Sequence, residues 1–130
     1  MSAFTVELDN HPGELARLCE ALASGGVNLL LCAATQGSSG VAAFIADDEA
    51  AAQAVLEGAG TGYLLRPALT VTMANLPGAG AAAFRTLAEA GINVELLVPV
   101  RISDAEFFAV ICADDPAAAD RTPGGQVITK

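Results

Sequence analysis

The chain has 130 residues, with 6 basic side chains against 15 acidic ones and a formal charge of −9. Apolar residues make up 53% and charged residues 16%, a composition that folds instead of staying disordered. The acidic balance opposes attraction to nucleic-acid phosphates and anionic lipid, and no apolar stretch suits a membrane span of about 20 residues.

Phe4, Val6 and Leu8 alternate with Thr5, Glu7 and Asp9, which predicts a half-buried strand. Asn10-His11-Pro12-Gly13 then turns the chain. Leu15, Leu18, Cys19 and Leu22 recur at helical spacing and predict a helix from about Pro12 to Ala23, ended by Gly25-Gly26. Val27 to Ala34 reads as a strand, Thr35 to Gly40 as a turn, and Val41 to Ala46 as the next strand. Asp47-Asp48-Glu49 places three acids where a helix dipole favours them, ahead of a helix over Ala50 to Glu57. Ala59-Gly60 stops that helix, and Tyr63-Leu64-Leu65 begins a fourth strand.

The same order then recurs. Thr5 to Gly13 falls on Thr70 to Gly78, and Leu22 to Asn28 falls on Leu87 to Asn93. After a slip of two residues, Asp47-Asp48 matches Asp114-Asp115. Alanine-rich composition alone does not keep Asn, Pro, Gly and a second Asn in place, so the chain holds two copies of one unit. Residues 1–67 and 68–130 are the two expected domains, with the boundary at the proline of Arg66-Pro67. The second copy shortens at its end. Asp114-Asp115-Pro116 opens a helix that Thr122-Pro123-Gly124-Gly125 breaks, and Gln126 to Thr129 supplies a closing edge strand. This last quarter is expected to be the most mobile part.

Each unit is thus strand–helix–strand–strand–helix–strand, an α+β, ferredoxin-like arrangement with an antiparallel sheet and both helices on one face. A single unit of this size leaves open edges, which side-by-side joining into an eight-stranded sheet would close. Surfaces beyond that seam imply a homodimer.

Cys19, Cys32 and Cys112 have apolar neighbours and imply buried, reduced thiols. Met1-Ser2-Ala3-Phe4 lacks the layout of a signal peptide, so a cytoplasmic protein is expected. No nucleophile–base constellation is visible, no cofactor motif appears, and His11 is the only histidine; catalytic residues, cofactors and a metal site are all expected to be absent. The acids at 47–49 and 114–115 are explained by helix capping.

The pattern Asn10-His11-Pro12-Gly13-Glu14-Leu15, then a helix, then Gly26-Val27-Asn28, resembles the ACT domain. So does Asn75-Leu76-Pro77-Gly78 followed by Gly91-Ile92-Asn93. The resemblance spans nearly the whole chain and weakens after Asp115. It implies a βαββαβ regulatory module, working in pairs, that binds an amino acid or similar small metabolite and acts on a partner enzyme. It also implies ligand-facing roles for Asn10, His11, Pro12 and Gly13, and for Asn75, Leu76, Pro77 and Gly78. Val27-Asn28 and Ile92-Asn93 would supply the opposing walls, at a seam between units.

A zwitterion needs acceptors for its ammonium and donors for its carboxylate; asparagine offers both, and helix-start amides suit the carboxylate. The rival for Asn10 and Asn75 is a side chain that closes its own turn. His11 is either a ligand contact or a loop residue. Gly80 stands where Leu15 stands in the first copy, Ala79 replaces Glu14 and Leu76 replaces His11, so unequal sites are expected. The alternative function is a structural or interaction module whose site has decayed. A small enzyme on a ferredoxin-like scaffold has no supporting constellation.

Overall fold

In the computed structural model, residues 1–120 and 127–128 are described. They divide into two units, Ser2–Arg66 and a second that starts at Pro67 and takes in Met1. The N-terminal unit runs β1 (Ser2–Asp9), α1 (Glu14–Ser24), β2 (Leu29–Gln36), β3 (Ser39–Ala46), α2 (Glu49–Gly58) and β4 (Leu64–Pro67). The C-terminal unit repeats this as β5 (Leu69–Ala74), α3 (Ala79–Glu89), β6 (Val94–Ile102), β7 (Glu106–Ala113), α4 (Pro116–Asp120) and β8 (Val127–Ile128). Each unit builds a four-stranded sheet, in the orders β2-β3-β1-β4 and β6-β7-β5-β8. This is the expected ferredoxin-like fold.

In the N-terminal unit, β1 and β3 pair antiparallel with Phe4 opposite Phe44. Their rings stack at 4.9 Å and anchor a core completed by Val6, Leu18, Leu22 and Leu56. Val6 and Phe4 share one sheet face because strand side chains alternate, and Leu18 and Leu22 share the buried stripe of α1 because they lie one turn apart. The C-terminal core uses the matching positions: Leu69, Val71 and Met73 from β5, Leu87 from α3 and Ile111 from β7.

Glycine is required between each first strand and helix. Gly13 and Gly78 both take the left-handed conformation, at φ 93° and 89°, where a side chain is strained. That residue delays α1 to Glu14, two positions after the predicted start. At the far end of α1, the backbone at Gly25 passes so close to α2 that a Cβ would collide with Val55.

Cys32 departs from expectation. It is exposed, Cys19 is half-buried, and only Cys112 is buried. Strand β2 is at a sheet edge, and Leu29 and Leu31 take the core-facing side, so Cys32 lies on the opposite face. Cys112 sits in β7, which has a strand on either side. In β6, Pro99 cannot donate to the ladder, and the register with β7 shifts between Pro99 and Arg101.

The short final helix is present as the five residues of α4, and β8 pairs with β5 through Thr70–Ile128 and Val71–Val127. The Thr122–Gly125 break, and Gln126 and Thr129 of the predicted edge strand, lie outside the described residues. So does most of the segment expected to be mobile. No helix among the described residues is long and apolar enough to cross a membrane.

Candidate functional site

Each first strand is followed by an asparagine that ties its loop to the neighbouring hairpin. The Asn10 backbone amide donates to Ser38 O at 3.0 Å, and its side-chain Nδ2 donates to Gly37 O at 2.8 Å. In the second unit, Asn75 N donates to Ala105 O at 3.0 Å and Nδ2 to Ser103 O at 2.8 Å. Neither asparagine simply closes its own turn. Each spends amide hydrogen on the adjacent hairpin and keeps its carbonyl oxygen as an acceptor.

The helices that follow are unlike the later helices of their units. No side chain caps α1 or α3, because their N-cap positions are Gly13 and Gly78. By contrast Asp48 accepts from Ala51 N at the start of α2, and Asp115 accepts from Ala118 N at the start of α4, both at 3.0 Å. The preceding aspartates do other work. Asp47 accepts from Asn28 N and returns a bond to Asn28 O, both at 3.0 Å; Asp114 exchanges the same pair with Asn93. Of the acids predicted only as helix starters, Asp48 and Asp115 cap, Asp47 and Asp114 hold the residue before the second strand of their unit, and Glu49 accepts from Ser2 N at 3.0 Å.

The predicted residues fall into two groups. Asn10 and His11 line one cleft, and Asn75 and Leu76 line another. Pro12, Gly13, Pro77 and Gly78 are exposed beside them. Val27 and Ile92 are instead packed into the cores of their own units, while Asn28 and Asn93 are exposed and held through their backbones.

The two clefts differ in volume and lining. That of the N-terminal unit has a volume of about 150 Å³, with Leu8, Leu15 and Val41 among its walls. Its counterpart is about 300 Å³, with Met73, Phe84, Leu97 and Phe107 around Asn75. Gly80 makes the difference at the position of Leu15: a Cβ there would already touch Met73 Sδ at 3.7 Å and the Phe84 ring at 3.8 Å, so a leucine would fill the space. Leu76 stands 69% exposed over this cleft.

Beside the smaller cleft lies an acidic recess formed by Glu7, Asp9, Glu14 and Ser39. His11 Nε2 approaches Glu14 Oε1 at 3.0 Å, Nδ1 lies 3.1 Å from Pro12 O, and Arg17 reaches Glu14 Oε1 at 3.3 Å. Asp9, His11 and Glu14 form a grouping that sequence reasoning missed. The expectation of no metal rested on the absence of a second histidine. The usable signal is the spacing of an acid two residues before His11 and another three after it, across a turn.

No protein-family model matches the chain, and no curated protein does. Solved structures do. Protein BT0572 from Bacteroides thetaiotaomicron superposes with a TM-score of 0.80 at 20% identity, over 98% of this chain and 91% of that one. The regulatory subunit of aspartate kinase from Thermus thermophilus gives a TM-score of 0.65 at 25% identity, over 92% and 87%. The corresponding subunit from Thermus flavus gives 0.67 at 24%, over the same shares. Both Thermus chains are regulatory subunits of aspartate kinase.

Proposed function

We propose that this chain, a tandem pair of ACT domains, is a regulatory module that binds an amino acid and acts on a partner enzyme. The observation that carries this reading is the uncapped start of α1 and α3 directly after the repeated Asn-x-Pro-Gly loop. The second helix of each unit satisfies its first amides with its own aspartate. The first helix leaves that role to solvent or to a ligand carboxylate, which the positive end of the helix dipole favours. The asparagine carbonyl oxygen, with its amide already committed, then accepts from the ligand ammonium.

The wider cleft beside α3 makes the C-terminal unit the better site, and its walls favour an apolar ligand side chain. A second copy of the chain, in a homodimer, would supply the remaining wall of such a site. A ligand shifts such a module only by binding its two states unequally, and the partner enzyme reads that shift. Regulation in trans is what the Thermus subunits suggest by their names.

A second reading, an interaction module without a ligand, draws on the engagement of both asparagine amides with their own hairpins. Gly80→Leu separates the two. It fills the cleft with the side chain the first unit carries at Leu15 and leaves the loop hydrogen bonds in place. Loss of amino-acid binding with folding retained supports the sensor; binding unchanged by Gly80→Leu contradicts this location for the site.

A further inference from the structure

We propose that Asp9, His11 and Glu14 of the N-terminal unit form a binding site for a divalent first-row transition-metal cation. The three side chains each offer one ligand atom, and these atoms all lie within 4.8 Å of one another. Nitrogen and oxygen ligands sit about 2.0–2.2 Å from such an ion, so ligands on opposite sides of it are about 4.3 Å apart. The observed spread is somewhat wider, so the three close on one ion through side-chain rotation.

The histidine supplies the second line of argument. Its Nδ1 faces the Pro12 carbonyl oxygen at 3.1 Å, and its Nε2 faces a Glu14 carboxylate oxygen at 3.0 Å. Both facing atoms are acceptors. A neutral ring has one N–H for the two of them, so in the tautomer whose Nδ1–H donates to the Pro12 carbonyl the Nε2 lone pair faces the Glu14 carboxylate. In that tautomer a cation bound between Nε2 and the carboxylate removes the opposition of lone pairs. A backbone carbonyl holding the far N–H is the usual way a metal-bound imidazole is oriented.

The repeat is a built-in control. The positions of Asp9, His11 and Glu14 are Ala74, Leu76 and Ala79 in the second copy, and that of Arg17 is Ala82. All four polar side chains vanish together, while Asn75, Pro77 and Gly78 keep the loop's shape. The trio is therefore not needed to build this loop. Glu7 adds a further carboxylate to the same recess. Arg17 is the resident competitor, but it is 72% exposed and can swing aside.

One imidazole with two carboxylates suits zinc, manganese or iron(II) better than magnesium or calcium. Three protein ligands leave further coordination positions for water or a ligand. This site does not depend on the amino-acid reading, whose favoured cleft is in the other unit.

The test is zinc titration of the whole chain with Cys32→Ser throughout, so that the exposed thiol does not compete. His11 is the only histidine, so its imidazole resonances report the site directly, with magnesium as the control. The expected result is a saturable shift at one zinc per chain, weakened at least about tenfold by Asp9→Ala and by Glu14→Ala, and strengthened by Arg17→Ala. Failure of the His11 resonances to saturate at millimolar zinc overturns the proposal and leaves an ordinary His11–Glu14–Arg17 ion-pair chain. Saturation indifferent to Asp9→Ala and Glu14→Ala overturns it as well.

Discussion

The Asn10 side-chain amide donates to the Gly37 carbonyl at 2.8 Å, which fastens the end of β1 to the tip of the β2–β3 hairpin. Asn75 makes the same bond to Ser103, also at 2.8 Å, although the hairpin tips differ in sequence. The repeated asparagine is thus a structural clasp, and its side chain also lines the cleft of its unit. Structure and binding share one side chain.

Replacing either asparagine with alanine removes this exposed bond and is expected to cost roughly 0.5–1.5 kcal/mol in chemical denaturation. The effect should be local: hydrogen exchange at the β2–β3 turn rises in Asn10→Ala, and at the β6–β7 turn in Asn75→Ala. A loss spread over both units would contradict the clasp.

Gly25→Ala drives a Cβ into Val55 where α1 passes α2. Overpacking of this kind costs about 1–3 kcal/mol. Val55→Ala in the same chain makes room and should recover part of the loss, so a double-mutant cycle measures the contact. The second copy has Ala90 at this position, which says the glycine answers to Val55 and not to the helix end.

Tyr63, the only tyrosine, donates to Glu57 Oε1 at 2.9 Å, and this bond together with desolvation raises its pKa above the usual tyrosine value. A raised folded-state pKa means the contribution is present below the unfolded tyrosine pKa and is lost as pH rises through the folded one. An alkaline titration followed by near-ultraviolet absorbance should show a midpoint above that of free tyrosine. Glu57→Gln should move it downwards.

The repeat made the fold legible, because Asn, Pro, Gly and the second Asn hold backbone positions that few other residues fill. Burial was less legible. β2 is apolar on both faces over Leu29 to Ala34, so its sequence does not show which face meets the helices, and Cys32 among apolar neighbours reads as buried. The aspartate pairs were visible as helix starters, yet Asp47 and Asp114 bond the backbones of Asn28 and Asn93, contacts made across about twenty residues of chain. Asp9 and Glu14 escaped notice for a similar reason. Only the left-handed turn at Gly13 brings the first turn of α1 back towards the end of β1.

The central claim is amino-acid binding by the folded chain, and a thermal-shift screen of the purified protein against the common amino acids tests it most directly. A ligand that binds only the folded state raises apparent stability by about 2.7 kcal/mol at a hundred times its dissociation constant. The account predicts a clear upward shift with an amino acid of apolar side chain, lost in Asn75→Ala and in Gly80→Leu. A protein that melts at one temperature with every amino acid, at concentrations up to millimolar, would contradict it.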